Sequence, residues 1–329
     1  MAHLEAMNTP ETFRVNPTGR VVAIGDIHGN EAGFRQLLRM AGLVNSAGDW
    51  VGANTVLVMN GDIVGRGGNP RRIYATIRRL SRQALSAGGR LELLLGNHEA
   101  LSMHDIHNYT TLQEYQDFAP ATSWSFDQML REAYEDLPAP NPSDSPLDLS
   151  QLHAEPLGWI ELRRAMSPTG MVGRWLCQRN SVFVVGRTLF VHGGLHPKWA
   201  TAPLGDLNRS IREELSKHGT YFDLNPKHAA LAEDGPHWYR IGHKRPDDAL
   251  KVELEEVFNT YSVDRMVVGH TPTYLHDPRR TGRVVSKANG RLLCIDVGIG
   301  QAYGARLGAI EFLPNGNVRA FYPDGEETL

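Results

Sequence analysis

The sequence is poor in cysteine, in long apolar runs and in net charge, and each shortage excludes a class of protein. Only Cys177 and Cys294 occur among 329 residues, both in apolar stretches, so we expect two buried free thiols and no disulfide framework. The formal net charge of -3 argues against a general nucleic-acid binder, which would carry a basic surface. No segment reaches the roughly 20 apolar residues that a membrane-spanning helix needs.

The beginning of the chain and its composition predict where the protein works. Residues 1–7 lack an apolar signal core, so we expect a soluble, cytoplasmic protein, or a periplasmic one if a signal segment has been removed. Hydrophobic residues make up 41% and charged residues 22%, which is ordinary for a soluble protein. We therefore expect no nucleic-acid and no membrane partner, and nothing in the sequence indicates an oligomeric state.

Strand and helix patterns alternate in the first hundred residues. Apolar runs at residues 20–24, 55–59 and 91–95 predict strands, and residues 30–41 and 70–85 carry apolar side chains at helical spacing. This alternation indicates βαβ units with helices packed on the faces of a sheet. Further strands are predicted at residues 182–185, 188–191, 265–268, 291–295, 309–313 and 318–322.

The pattern turns helical between about residues 101 and 179. Because this region interrupts a sheet that resumes afterwards, we predict a helical insertion in a single domain of residues 20–329, preceded by an N-terminal segment of residues 1–19. The insertion is predicted to contain helices at 112–118, 124–137 and 159–166 and a proline-rich loop at 138–148.

Five loops rich in glycine, aspartate and histidine directly follow predicted strands, where ligands gather in α/β sheets. Aspartate and histidine supply ligands suited to Mn, Fe or Zn, and glycines allow sharp turns and close approach. One such loop is weak evidence of a site, but five together predict a metal centre. The loops are Gly-Asp-Ile-His-Gly at 25–29, Gly-Asp-Ile-Val-Gly-Arg-Gly at 61–67, Gly-Asn-His-Glu at 96–99, His-Gly-Gly at 192–194 and Gly-His-Thr-Pro at 269–272.

The ligands suffice for two ions. Asp26 and His28, two residues apart, can reach one ion from a single turn, and Asp62 can bridge two ions through its two oxygens. A second ion can be completed by the remaining side chains, Asn97, His192 and His270. Two cations about 3.5–4 Å apart form the clamp for in-line phosphoryl displacement, in which a bridging, acidified water is the nucleophile.

The motifs, taken in order, resemble those of the calcineurin-like metallophosphoesterase superfamily and, within it, the phosphoprotein phosphatase family. The resemblance covers residues 20–304 and is closest to the Shewanella-like, bacterial-type branch, on residues 41–58, 235–240, 268–272 and 295–299. It implies an α/β fold of the metallophosphoesterase type, a β-sandwich flanked by helices, here with a helical insertion.

The resemblance also implies metal-binding roles. Asp26, His28 and Asp62 would bind the first metal, and Asp62 would share the second with Asn97, His192 and His270. The two ions would be divalent or trivalent, as Mn, Fe or Zn.

Substrate-handling roles follow from the same resemblance. His98 would be the general acid, Arg66 and Arg240 would hold the phosphate, and Asn97 would contribute to substrate binding. Asp296 would orient a metal-ligand histidine, or else belong to a turn at the end of a strand.

One position departs from the family pattern. The family has an aspartate where this chain has Gly65, and that aspartate would pair with the acid His98. Either Glu99 or Asp105 takes over this partnership, or the substrate has a leaving group that needs little protonation.

The sequence thus predicts a dinuclear metal-dependent phosphomonoesterase that acts on a phosphorylated protein or peptide, with phosphotyrosine favoured because a phenolate leaves readily. One alternative is a dinucleoside tetraphosphate hydrolase, which resembles this chain in carrying a small residue at the position of Gly65. It differs at Glu99 and at the His192 loop. The other alternative is a metal-binding scaffold in which Gly65 marks lost catalysis.

Overall fold

The computed structural model describes residues 12–120, 155–217, 229–313 and 315–329. Within them the strands are β1 (Arg14–Val15), β2 (Val21–Ile24), β3 (Val56–Met59), β4 (Arg90–Leu93), β5 (Val182–Val185), β6 (Thr188–Val191), β7 (Arg265–Val268), β8 (Val285–Lys287), β9 (Leu292–Cys294), β10 (Ala309–Phe312), β11 (Val318–Tyr322) and β12 (Gly325–Thr328). The helices are α1 (Glu31–Met40), α2 (Pro70–Ser86), α3 (Asn97–Met103), α4 (Leu112–Phe118), α5 (Trp159–Met166), α6 (Gly173–Leu176), α7 (Leu204–Ser216), α8 (Asp247–Tyr261) and α9 (Thr273–His276).

The strands form two mixed sheets of six. The strand orders are β12-β11-β10-β2-β3-β4 and β1-β5-β6-β7-β9-β8. Each sheet contains three parallel neighbours, β2-β3-β4 in the first and β6-β7-β9 in the second. Their carboxyl ends are therefore the places where loops from both sheets can gather.

Apolar side chains of both sheets share one continuous core. Strands β2, β3, β5 and β6 are buried at every position, which explains why they read as unbroken apolar runs rather than alternating patterns. Across the sheets, the ring of Phe190 on β6 meets that of Phe312 on β10 edge to face, with 5.9 Å between centroids.

The helices cover the sheets with one apolar face each. In α1 the carboxamide of the N-cap residue Asn30 accepts from Gly33 N at 3.0 Å, and Phe34, Leu37 and Leu38 are buried. α2 begins with Pro70 and buries Ile73, Ile77 and Leu80, while its arginines lie on the opposite face.

The predicted α/β class and the metallophosphoesterase-type arrangement of two sheets flanked by helices are confirmed. Most predicted strands and helices match within two residues at each end. Strands β1, β8 and β12 and helices α3, α6, α7, α8 and α9 were not predicted. β1 lies in the segment predicted to precede the domain, yet it pairs with β5. The domain boundary at residue 20 stays a prediction.

The described residues between β4 and β5 form helices α3 to α6 and contain no strand, as the predicted insertion requires. The helix predicted at 124–137 and the loop at 138–148 lie outside the described residues. Both cysteines are free; Cys294 is buried, whereas Cys177 is partly exposed, contrary to expectation. No helix in the described ranges is long and apolar enough to cross a membrane.

The contact between the two sheets should dominate stability. We expect Phe190→Ala to lower the free energy of unfolding by about 3–5 kcal/mol, because it leaves a cavity between β6 and β10. Val252→Ala on α8, where the side chain is 65% exposed, should change it by less than about 0.5 kcal/mol. Chemical unfolding curves measure both values, and equal effects would contradict a shared core at this point.

Candidate metal centre

Loops that follow six parallel strands meet at one edge of the two sheets. Each carries a buried polar side chain, and the side chains contact one another across the edge. They are Asp26 after β2, Asp62 after β3, Asn97 and His98 after β4, His192 after β6, His270 after β7 and Asp296 after β9.

The Asp62 carboxylate lies between two groups of histidines. Its Oδ2 is 3.7 Å from His28 Nε2 and 3.9 Å from His98 Nε2. Its Oδ1 is 3.4 Å from His192 Nε2 and accepts a hydrogen bond from the backbone N–H of His98. One carboxylate therefore presents a different oxygen to each side.

These groups form two clusters that could each hold a metal ion. The first contains His28, Asp62 and His98, and the second contains Asp62, His192 and His270, with ligand atoms within 4.8 Å of one another in each. Asp62 belongs to both clusters, as expected of a bridging ligand. His98, predicted as an acid, stands among the candidate ligands of the first cluster.

Backbone carbonyls orient two of the histidines. His28 Nδ1 lies 3.1 Å from Gly65 O, and His192 Nδ1 lies 2.7 Å from Asn60 O. A carbonyl oxygen only accepts, so each Nδ1 donates and each Nε2 is directed to the carboxylate of Asp62. This is the orientation that a metal-binding imidazole needs.

Several acceptors at the centre face one another without a donor. His192 Nε2 is 3.0 Å from Asn97 Oδ1, and both are acceptors when His192 Nδ1 carries the proton. Asp26 Oδ1 and His270 Nε2 are buried and have no hydrogen-bond partner among the described residues. Such a group of converging lone pairs fits a bound cation, and we conclude that the residues suit the metal ions that the family implies.

The pKa shifts of the buried side chains also indicate that this site favours a cation. Burial raises the pKa of Asp62, but the charges of His192, His98 and His28 outweigh it and hold that pKa well below its ordinary value. Burial lowers the pKa of His192, but Asp62 and Asp26 raise it to about 10. The buried carboxylates thus favour positive charge at His192, and a bound metal ion would supply it without a proton there.

Asp26 lies opposite His270. Its Oδ2 accepts from the backbone N–H of His270 at 2.9 Å. Burial and the charge of Asp296 raise the pKa of Asp26 well above its usual value. Gly269 permits this contact, because a Cβ there would lie 2.1 Å from Asp26 Oδ1.

His98 occupies the space of the side chain that Gly65 lacks. A Cβ at Gly65 would lie 2.0 Å from His98 Nδ1, and the backbone there has φ of +83°. Burial lowers the pKa of His98 to about 3, assisted by the charges of His28 and Arg66 and opposed by Asp62. Glycine is therefore required at this position while His98 keeps its place.

The two carboxylates considered as substitutes for the missing aspartate are used elsewhere. Glu99 accepts from the backbone N–H groups of Asp62, Ile63 and Gly96 and from the hydroxyl of Tyr74. Asp105 forms an ion pair with Arg163 and a hydrogen bond with His107 Nε2 at 3.1 Å. The expectation that either one pairs with His98 is wrong for the geometry that the structure describes.

Arg66 stands at the rim of the site between two tyrosines. Its guanidinium lies 4.2 Å from the ring centre of Tyr109 and 5.9 Å from that of Tyr303. Its backbone N–H donates to Tyr109 O at 2.9 Å, while its buried Nε has no partner in the described part of the chain. The group is thus held by stacking and keeps a donor free for an anion.

Glu114 is a buried residue that the sequence reasoning missed. On α4, it accepts from Gly65 N at 2.5 Å, from Gly67 N at 3.0 Å and from Thr111 N at 2.8 Å. Burial raises the pKa of Glu114 to about 7, although the hydrogen bonds from these N–H groups lower it. It therefore anchors the backbone on both sides of Arg66. The pattern Thr-x-x-Glu at 111–114, a helix-start signature, was the available signal.

Arg240 and Asp296 are the last two of the predicted site residues. Arg240 is exposed and its Nη1 donates to His270 O and to Thr271 Oγ1, each at 3.1 Å. Asp296 is buried, and its carboxylate accepts from Gly298 N at 3.2 Å. Burial and the charge of Asp62 raise the pKa of Asp296 to about 7. The bond to Gly298 suits the turn at the strand end, and the orienting role for a histidine stays a prediction.

Known proteins resemble this chain in sequence and in fold. A sequence model of the family described as calcineurin-like phosphoesterase matches residues 19–274, so the chain belongs to that family. It is a metallophosphoesterase, a hydrolase acting on phosphomonoesters.

Its relatives include Shewanella-like protein phosphatases. Shewanella-like protein phosphatase 2 of Arabidopsis thaliana is 30% identical over 294 residues, which cover 85% of this chain and 71% of that protein. Shewanella-like protein phosphatase 1 of Plasmodium berghei (strain Anka) is 24% identical over 284 residues, covering 85% and 67%. The crystal structure of the cold-active protein-tyrosine phosphatase of a psychrophilic Shewanella species has a TM-score of 0.72 at 22% identity, covering 98% of this chain and 84% of that chain, and shows the shared fold.

The close approach at Gly269 gives a test of the metal centre. We expect Gly269→Ala to displace the Asp26 carboxylate and to weaken manganese binding about 10–100-fold, as changes next to metal ligands do. Isothermal titration of metal-free protein measures the affinity. Gly316→Ala is the matched control, because that glycine has φ of +85° and nothing within 4 Å, so the change strains only the backbone. Unchanged manganese affinity in Gly269→Ala would contradict the geometry.

The anchor Glu114 gives a second test. Glu114→Gln turns a donor toward the loop amides, so we expect a loss of about 1–3 kcal/mol in the free energy of unfolding. We also expect kcat/KM to fall about tenfold, equivalent to about 1.4 kcal/mol, because Arg66 loses its support. Metal content should not change. Gln116→Glu, an exposed change on the same helix, is the control, and equal behaviour of the two variants would refute the anchoring role.

Proposed function

We propose that this chain is a phosphoprotein phosphatase with two metal ions at the strand edge. The observation that carries the proposal is the Asp62 carboxylate, which presents one oxygen to each of two ligand clusters. A single ion would leave one cluster, with its buried acceptors, without a cation. The unpartnered atoms Asp26 Oδ1 and His270 Nε2 support the same conclusion.

The ligands would divide between the two ions. Asp26, His28 and Asp62 would hold the first ion, and the second would lie between Asp62 and a set of three side chains, Asn97, His192 and His270. When bound, ions of Mn, Fe or Zn would supply an acidified water and positive charge for in-line displacement at phosphorus. The remaining chemistry belongs to the side chains around them.

Two arginines would hold the phosphate. Arg66 is stacked on Tyr109, and Arg240 is bonded to the backbone oxygen of His270, so both lie beside the metal centre. A planar guanidinium binds two phosphate oxygens at once, which would align the scissile bond with His98. His98 would then donate a proton to the departing oxygen, and the Asn97 amide would contact the phosphate.

The substrate would be a phosphorylated protein or peptide, with phosphotyrosine preferred. Two relatives are protein phosphatases by name, and a protein-tyrosine phosphatase has the same fold. The contact between Gly65 and His98 supports the preference independently, because it leaves the acid without the carboxylate that would stabilise its protonated form. A phenolate needs less protonation than an alkoxide, so aryl esters suit this site.

A substrate panel tests the proposal. With Mn, Fe or Zn supplied separately, we expect kcat/KM for phosphotyrosine peptides to exceed that for matched phosphoserine peptides at least about tenfold. Diadenosine tetraphosphate should be a poorer substrate than either. Faster release of nucleotides from diadenosine tetraphosphate than of orthophosphate from peptides would favour the dinucleoside tetraphosphate hydrolase instead.

The role of His98 can be tested with leaving groups of graded pKa. We expect His98→Asn to lower kcat/KM for aryl phosphates about 10²-fold when the phenol has a high pKa, and by less as that pKa falls. A plot of kcat/KM for substituted phenyl phosphates against the pKa of the phenol, for wild type and variant, measures how the loss depends on the leaving group. A loss that is independent of the leaving group would show that His98 is a metal ligand and not the acid.

A further inference from the structure

A group of basic side chains lies beside Arg240. We call His243, Lys244, His276 and Lys287 the basic cluster; they come from the loop after Arg240, from α9 and from β8. The rings of His243 and His276 meet edge to face, with 6.1 Å between centroids. Burial lowers the pKa of both imidazoles, and nearby charges lower it further, chiefly Lys244 at His243 and Lys287 at His276. These groups therefore lie in one neighbourhood.

The basic cluster is continuous with the metal centre. Arg240 donates to the backbone oxygen of His270 and to the Thr271 hydroxyl, each at 3.1 Å. Helix α9, which carries His276, begins three residues after His270. A substrate whose phosphate reaches Arg240 would therefore bring its neighbouring residues over the basic cluster.

The cations of this region differ from most charged groups around them in forming no ion pair. In the described ranges, Arg240, Lys244 and Lys287 form no ion pair. The acidic groups along this stretch have other partners. Asp247 accepts from the backbone N–H of Ala288 at 3.4 Å, and Asp248 pairs with Lys251 at 3.5 Å. Glu253 pairs with Arg245, and Asp277 pairs with Arg279 at 2.9 Å. Lys287 Nζ donates to the backbone oxygen of Gly242 at 2.6 Å and keeps its charge.

The imidazoles contribute unused hydrogen-bonding atoms. His243 Nδ1 and both ring nitrogens of His276 are buried and form no well-aligned hydrogen bond among the described residues, although the backbone of Leu275 contacts His243 and that of Gly242 contacts His276. Partial burial, followed by the charge of Lys287, lowers the pKa of His276 to about 4, so its ring is neutral at pH 7 and offers one N–H donor. A weakly bonded N–H donor next to Lys287 is suited to an anion.

We propose that the basic cluster is a second anion subsite, which binds an acidic group of the substrate beside the phosphate that is cleaved. On a peptide this group is a carboxylate side chain or a second phosphate. The subsite rests on the proposed phosphoprotein phosphatase function and adds sequence selectivity to it. Because the basic cluster lies outside the reacting groups, its contribution belongs in KM and not in kcat.

Three phosphotyrosine peptides test the subsite. The residues around the phosphotyrosine are neutral in the first, rich in glutamate in the second, and include phosphoserine in the third. The control substrate is para-nitrophenyl phosphate, which has no neighbouring residue. In the wild-type protein we expect KM for both acidic peptides to be at least about fivefold below that for the neutral one, the upper range for an exposed ion pair. The two acidic peptides distinguish a carboxylate from a second phosphate as the preferred group.

Lys244→Asn is the informative variant, because Lys244 has φ of +54° and asparagine tolerates that backbone conformation. We expect it to abolish the acidic preference through KM while kcat/KM for para-nitrophenyl phosphate stays within about twofold of wild type. His276→Gln, which removes the imidazole, should act in the same direction. Lys217→Asn, an exposed lysine at the end of α7, is the matched control and should keep the preference.

The outcomes separate this subsite from the function on which it rests. Equal KM values for neutral and acidic peptides in the wild type, or a preference that survives in both variants, would overturn the subsite and leave the phosphatase intact. Hydrolysis of para-nitrophenyl phosphate without hydrolysis of any phosphopeptide would overturn the proposed function, and the peptide subsite with it.

Discussion

The structure of the site depends on negative charge buried where two sheets meet. Asp26, Asp62 and Asp296 are each at most 2% exposed, and a buried carboxylate is costly unless a positive group balances it. Without metal the protein responds with protons, which is why the pKa values of Asp26, Asp296 and His192 all rise. Metal ions between these side chains would replace the protons and supply the charge that phosphoryl transfer requires.

The sheets bring the ligands together through topology and not through local sequence. Asn60 shows how the two halves are joined: its side-chain amide donates to Val191 O at 2.9 Å, and its own carbonyl accepts from His192 Nδ1. The loops are also strained, because His28, Asp62 and His270 have positive φ. Each such residue costs about 1–3 kcal/mol, which the shared core of the two sheets must offset.

Much of this was accessible from the sequence, because strands, turns and ligand types are local signals. The five loops lie at the expected strand ends, and four of the six predicted metal ligands, His28, Asp62, His192 and His270, fall in the two candidate clusters. Contacts between distant residues were not accessible. Nothing in the sequence shows that Glu114 accepts from Gly65, 49 positions away, or that His243, His276 and Lys287 share one surface. The partner proposed for His98 failed for the same reason: Glu99 is next to it in sequence but holds the backbone of the second loop.

The glycine at position 65 connects the catalytic groups to the helical region. With no side chain there, His98 occupies the vacated space, and the backbone amide of Gly65 is bound by Glu114 of α4. The adjacent Arg66 is fixed by Tyr109, through its ring and its carbonyl oxygen. In this chain His98, the proposed acid, and Arg66, the proposed phosphate-holding arginine, are thus positioned by residues between β4 and β5 and not by a carboxylate of the Gly65 loop. A substitution in the helical region between β4 and β5 that changes contacts to the substrate would also shift Arg66 and His98. Substrate selectivity and the geometry of these two side chains are therefore expected to vary together.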